Sequence, residues 1–341
     1  MRRIVATAAG GYKTLKVEHV SLPSSVLGPK QVNVQVHAAG MNFADIYSRQ
    51  GLSPYFQPPC TLGIECAGMV LSIGEQVKQI KVGDRVAVTS FLGGAFSEQI
   101  VTEESSCSPV PEIMSWDEAA AIKINYLTAY LSLFPLGGLQ PHQTVFTHNA
   151  AGGVGWAVTQ LAKTLEGVTV IGRASQEKHQ IIQDNGVDHA LHYDQDHVKE
   201  IRQLTPNGVN LVLDMYSGSS LRVSQDLLKP FGKMVILGAL NLMDKEFANP
   251  ERIEQFQESV KDTVTAANIL NKSIGVAGLN LAEILTHHPS VIPPIWKTLM
   301  NLYEDGHISP RLDSVWRFEE IVEATKILED RKNIGKVILK V

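Results

Sequence analysis

The amino-acid sequence predicts an α/β protein in which a β-barrel-like module precedes a doubly wound parallel sheet. Three observations carry this. The first 110 residues are strand-like and rich in turns. From about residue 142, six short apolar runs alternate with helical patterns. A nearly side-chain-free turn, Ala150-Ala151-Gly152-Gly153-Val154-Gly155, joins the first of those runs to an amphipathic stretch. A chain of 341 residues also exceeds one ordinary core, so two domains are expected.

Taken in order, MRRIVATAAGGYKTLKV reads as a first strand. Its two arginines precede no long apolar region, so it is not read as a signal peptide. QVNVQVHAAG alternates, CAGMVLSIG is closed by Gly74, and KVGDRVAVTS is a turn followed by a strand. Little helical periodicity interrupts this region. AAAIKINYLTAYLSLFPLGGL contains Lys123, Asn125 and Pro135, so a buried helix ending at Pro135 is expected rather than a membrane span. TVFTH, VTVIG, HALHY, VNLVLDMY, KMVILGAL and SIGVAGLNL then alternate with helices, the βαβ pattern of a parallel sheet covered on both faces. Gly172, Gly218 and Gly238 punctuate strand ends. FEEIVEATKILEDRKNIGKVILKV is an amphipathic helix, a basic turn and a strand, and a lone terminal strand needs a partner, here the first module.

Hydrophobic residues at 44% and charged residues at 19% give a globular balance. A net charge of −5 offers no basis for nucleic acid as a partner. Cys60, Cys66 and Cys107 are an odd set without paired spacing, which fits a reducing compartment and no disulfide framework. The pairs His142 with His148 and His287 with His288 read as surface or strand-end histidines, and no C-x₂-C set or G-x-S-x-G elbow is present, so neither a metal site nor a serine hydrolase is expected.

The glycine turn has the spacing of a dinucleotide fingerprint, with Ala150 in the first glycine position. Small residues there let a pyrophosphate approach the backbone and let helix and strand pack closely, while the helix N-terminus faces the phosphates. A ligand-free αβ turn is the bland alternative. A cofactor lacking the 2′-phosphate usually meets an acid at the end of the second strand. VTVIG ends instead in Arg173-Ala174-Ser175, with Lys178 beyond, a pattern that suits a 2′-phosphate and hence NADP(H). The competing reading is a solvated helix start.

AAGGVG after a strand, GIECAGMVLSIGEQVKQIKVGDRVAV and GMNFADIYSRQGL together resemble the medium-chain dehydrogenase/reductase superfamily, in its zinc-free quinone oxidoreductase branch. VTVIGRASQEKH and GHISPRLDSVWRFEEIVEATKILEDRKNIGKVIL are similar, more narrowly, to the vesicle amine transport protein branch. The resemblance implies a GroES-like β-barrel catalytic domain over residues 1–122 with 300–341, and an NADP(H)-binding Rossmann domain over 123–299. Zinc-dependent members carry a cysteine near Asn42 and His-Glu where Ile64-Glu65 stands; without those ligands, no zinc is expected.

The same resemblance implies site roles. Asn42 and Thr128 line the nicotinamide end, although Thr128 also suits helix packing. Gly152, Gly153, Val154 and Gly155 hold the pyrophosphate. Ser175 and Lys178, with Arg173 and Tyr193, meet the 2′-phosphate. Leu237 and Gly238 pass beneath the nicotinamide, and Asn333 reaches back from the other domain. Tyr47 is the candidate catalytic group; Tyr55 and Asp45 are weaker ones, because tyrosines pack and aspartates cap. The implied activity is NADPH-dependent reduction of a quinone or an α,β-unsaturated carbonyl. The alternative is an interaction protein at vesicle or mitochondrial outer-membrane surfaces that keeps NADPH as a structural or regulatory ligand. A cytoplasmic location and a homodimer through SIGVAGLNL are implied as well. Against a membrane role, NPERIEQFQESVKDT (residues 249–263) is polar where an interfacial helix needs an apolar face.

Overall fold

Alternating sequence becomes paired strand throughout the N-terminal region of the computed structural model, which describes residues 1–22, 26–240 and 263–341 with Glu251, Glu254 and Glu258. Its strands are β1 (Arg2–Ala6), β2 (Leu15–His19), β3 (Gln31–Gly40), β4 (Cys60–Thr61), β5 (Glu65–Ile73), β6 (Arg85–Thr89), β7 (Gln99–Glu103) and β8 (Cys107–Pro109). The parallel sheet holds β9 (Thr144–Thr147), β10 (Thr169–Ala174), β11 (His189–His192), β12 (Val209–Asp214), β13 (Leu228–Ile236) and β14 (Gly275–Gly278). The chain finishes with β15 (Leu312–Arg317) and β16 (Lys336–Lys340).

All six apolar runs of the second half form strands, in the order β11-β10-β9-β12-β13-β14, every pair parallel. Strand order reverses between β9 and β12, and a crevice forms at the carboxyl ends of strands at such a reversal. The glycine turn follows β9, so it stands at that crevice. The terminal strand β16 pairs antiparallel with β3, placing Ile338 opposite Gly40. It belongs to the larger N-terminal sheet, ordered β15-β16-β3-β5-β6-β8, with β7 on β3.

Three local features depart from the sequence reading. A short helix, α1 (Phe43–Arg49), lies in a region expected to be β. At seven residues it is too short for periodicity to reveal it. Its signal was the cap, where Asp45 Oδ2 accepts the Asn42 N–H at 2.8 Å. The buried helix α2 (Trp116–Leu131) does not end at Pro135 but runs into a wider turn, Ser132–Leu136. There Gly137 N–H reaches back five residues to the Ser132 carbonyl at 2.9 Å, so Pro135, with no N–H, fits inside. Gly172 lies within β10 rather than at its end. Its missing side chain leaves room for Ala150, whose Cβ would lie 2.7 Å from a Cβ on Gly172.

Helix α2 is largely apolar because most of its length, Ala119 to Leu127 without a break, is buried. Ala120, Ile124 and Leu127 join Ala38 and Ala67 of the first sheet and Val145 and Leu213 of the parallel sheet in one continuous core. It thus fixes the two sheets around the crevice. No helix among the described residues is long and apolar enough to cross a membrane. The polar stretch 249–263 lies outside the described residues apart from Glu251, Glu254, Glu258 and Thr263.

Candidate functional site

A cavity of about 260 Å³ occupies the crevice between the glycine turn, α1, α2 and the start of β16. Of the residues singled out in the sequence, Asn42, Tyr47, Thr128, Leu237, Gly238 and Asn333 line it. So do Gly152, Gly153, Val154 and Gly155. Arg173, Ser175, Lys178 and Tyr193 are not among its walls; they collect around the tip of β10.

The glycines are required by close approach. A Cβ on Gly155 would lie 2.2 Å from the Asn149 carbonyl oxygen and 2.7 Å from Ala150 Cα, where helix α3 (Gly153–Ala162) meets its strand. On Gly153 it would lie 2.3 Å from Asn125 Nδ2. No side chain caps α3, so its first N–H groups remain for a ligand at the positive end of the helix. A pyrophosphate suits that cradle. Asn125 and Asn149 also line the cavity and escaped the sequence reading. Both were discoverable: Asn125 precedes Thr128 by three residues, one helix face, and Asn149 adopts φ 53°, which asparagine tolerates.

The turn before β16 closes onto the glycine turn. Gly335 N–H donates to the Ala151 carbonyl at 2.8 Å. Lys178 Nζ donates to the carbonyls of Arg331 at 2.6 Å and Asn333 at 3.0 Å. Asn333 spends its amide N–H on the Gly335 carbonyl at 2.8 Å, stiffening the turn it presents to the cavity. At the tip of β10, the Arg173 guanidinium lies 5.2 Å from the Tyr193 ring centroid and donates to the Tyr193 carbonyl, while its buried Nε has no hydrogen-bond partner among the described residues. Ser175 Oγ donates to Glu177 Oε1 at 2.5 Å. An acid, Glu177, therefore stands three residues past the end of β10. The Ser175 hydroxyl holds that carboxyl below its usual range.

The cavity walls are largely apolar and include Met41, Phe43, Ile64, Phe91, Met215 and Leu240. Tyr47 donates its hydroxyl to the Ala239 carbonyl at 3.1 Å, and burial pushes its phenol well above the ordinary value. Tyr55 is not among the cavity walls; it packs on Phe91 and meets Asn280. Asp45 caps α1 and accepts the Gly63 N–H at 3.2 Å; burial raises its carboxyl to about 7. Glu65 and Lys336, both buried, pair at 2.6 Å. Among the described residues, no group of three or more His, Cys, Asp or Glu could hold a metal ion.

The family model described as an alcohol dehydrogenase GroES-like domain matches residues 28–112, and that described as a zinc-binding dehydrogenase matches 185–339. The Rattus norvegicus synaptic vesicle membrane protein VAT-1 homolog is 40% identical over 341 residues, covering 99% of this chain and 84% of that protein. The chain belongs to the medium-chain dehydrogenase/reductase superfamily, among the VAT-1 homologues. Within this superfamily, the crystal structure of the human VAT-1 homolog-like protein superposes with a TM-score of 0.85 at 33% identity, covering 100% of this chain and 98% of that one. The Escherichia coli quinone oxidoreductase complexed with NADPH does so at 0.86 and 27%, covering 100% of both chains. A GroES-like N-terminal domain and a Rossmann-like parallel sheet are the fold of this superfamily, and this chain has it.

Proposed function

We propose that this member of the superfamily binds NADPH in the crevice and reduces a quinone or an α,β-unsaturated carbonyl without zinc. The observation that carries the reading is that the uncapped start of α3 and an apolar chamber share one cavity. A bound nicotinamide supplies hydride; the chain's residues bind and orient it. The N–H groups of Gly153, Val154 and Gly155 hold the pyrophosphate. Leu237 and Gly238 support the nicotinamide, with Thr128 and Asn125 as neutral partners. The apolar walls exclude water, as hydride chemistry requires. Arg173, Ser175, Lys178 and Tyr193 take the 2′-phosphate, Lys178 sharing its ammonium between phosphate and turn.

The test is a calorimetric titration of cofactor-free protein with NADPH and with NADH, followed by NADPH oxidation assays with quinones and enones. One to two charge-assisted hydrogen bonds favour NADPH by about 2–4 kcal/mol. Equal affinity for the two nucleotides overturns the phosphate assignment, and binding of neither overturns the enzyme reading.

A second reading rests on the relatives named as synaptic vesicle membrane proteins. In it, the chain is a cytoplasmic protein at vesicle or mitochondrial surfaces, with NADPH as a structural ligand and a homodimer through the outer edge of β14. That edge pairs with no other strand among the described residues. Vesicle binding that survives Lys178→Ala supports it, and a monomer by light scattering excludes the dimer.

A further inference from the structure

Lys336 is the one charged side chain among the described residues that line the cavity. An ammonium has three donors. One serves Glu65 Oε2 at 2.6 Å and one serves Asn42 Oδ1 at 2.7 Å; no third acceptor lies within reach among the described residues. Its partners are themselves anchored to backbone. Glu65 Oε1 accepts the Ile124 N–H at 2.8 Å, and Asn42 Nδ2 donates to the Gly40 carbonyl at 3.0 Å. Gly40 makes space for the lysine stem, since a Cβ there would lie 2.7 Å from Lys336 Cε. The result is a cation in a fixed position at the wall of a largely apolar cavity, with its charge offset by a carboxylate.

Burying such a pair is costly unless its geometry satisfies both partners. A neutral pair would fill the same space at less cost, so the charge needs a use. We propose that the third N–H of Lys336 donates to the carbonyl oxygen of the substrate. Resting on the carbonyl-reducing function proposed above, this assigns Lys336 as a catalytic residue. The electrophilic carbon gains a C–H bond from the hydride that a reduced nicotinamide would supply, the C–H bond of its ring breaking in the same step. The displaced π pair, of the carbonyl or relayed through the enone, moves onto oxygen. That oxygen takes its proton from solvent water as the product leaves the chamber. Lys336 remains an ammonium throughout and opposes the charge where it accumulates, an effect enlarged by the water-poor chamber. Tyr47 is less suited, because its hydroxyl is already given to Ala239.

The test is infrared difference spectroscopy of isotope-labelled cyclohexenone bound to cofactor-free protein. The wild type and the charge-neutral Glu65→Gln/Lys336→Met double variant are compared, so that no carboxylate is left buried alone. A carbonyl stretch moved to lower wavenumber in the wild type and restored in the double variant supports the assignment. The same stretch in both proteins overturns it. Should the double variant not fold, the wild-type stretch still decides: a position equal to that in cyclohexane overturns the proposal. With NADPH, the double variant is expected to lose about 10²–10³-fold in kcat, as for an oxyanion donor, with calorimetric NADPH affinity unchanged. NADPH binding without a Lys336-dependent stretch refutes only this assignment; the stretch without NADPH binding refutes only the cofactor reading.

Discussion

The ammonium of Lys178 donates to the carbonyl of Asn333 at 3.0 Å, across a sequence separation of 155 residues. One residue belongs to the stretch after the second strand of the parallel sheet, the other to the turn before the last strand of the first sheet. With the 2.6 Å bond to Arg331, this contact ties the two halves of the crevice together. Lys178→Ala is therefore expected to lower stability even without cofactor, by about 1–3 kcal/mol for carbonyls left without their donor. Scanning calorimetry of the cofactor-free variant reads this directly. An unchanged Tm would show that the tie contributes nothing.

Gly155→Ala places a methyl group 2.2 Å from the Asn149 carbonyl oxygen. Backbone lines both sides of this contact, so α3 must move away from β9. Overpacking of this kind costs about 1–3 kcal/mol and displaces the N–H groups assigned above to the pyrophosphate. Nucleotide affinity is expected to fall more steeply than stability, measured by titration and by denaturant unfolding of the same sample.

Asp45 gives the first module a pH signature. Its carboxyl is raised from 3.8 to about 7, mainly by burial, so the unfolded chain releases this proton at lower pH than the folded one. Stability from this group is fully present below about pH 4 and is lost as pH rises through about 7. At about 1.4 kcal/mol per unit, the loss amounts to a few kcal/mol. Asp45→Asn keeps an acceptor for the α1 cap and is expected to remove this slope. Urea unfolding across the window tests it; parallel pH profiles for variant and wild type would refute it.

Glu177 holds Ser175 by hydrogen bond at the place assigned to the 2′-phosphate. Its charge repels phosphate and frees no hydroxyl for it. Glu177→Gln is expected to tighten NADPH binding while leaving NADH binding as it was. Equal gains for both nucleotides would move the phosphate away from this corner.

Much of the fold was legible because its signals are local. The six runs from TVFTH to SIGVAGLNL each carry their own apolar pattern, and all six are strands. The glycine spacing was legible for the same reason, since tight turns are written in consecutive residues. Helix α1 was not, because seven residues make fewer than two full periods of 3.6 and its cap was read only as an alternative role for Asp45. Glu177 was overlooked as a partner because nothing in the spacing says that Ser175 turns toward it.

By itself the sequence determined the α/β class, the parallel sheet, the turn shaped for a pyrophosphate and the superfamily. The class, the sheet and the turn follow from periodicity or spacing within a few dozen residues, and the superfamily from the resemblance of motifs along the chain. Only the tertiary structure decided where the charges of the crevice go. Lys336 meets Asn42 from 294 residues away, and Lys178 faces a turn 153 residues downstream. A lysine on a strand or at a helix start carries no local mark of its partner. The pairing is set by which carbonyls and carboxylates are left buried when β16 docks on β3 and α2 fills the space between the sheets, because buried polar groups must find partners.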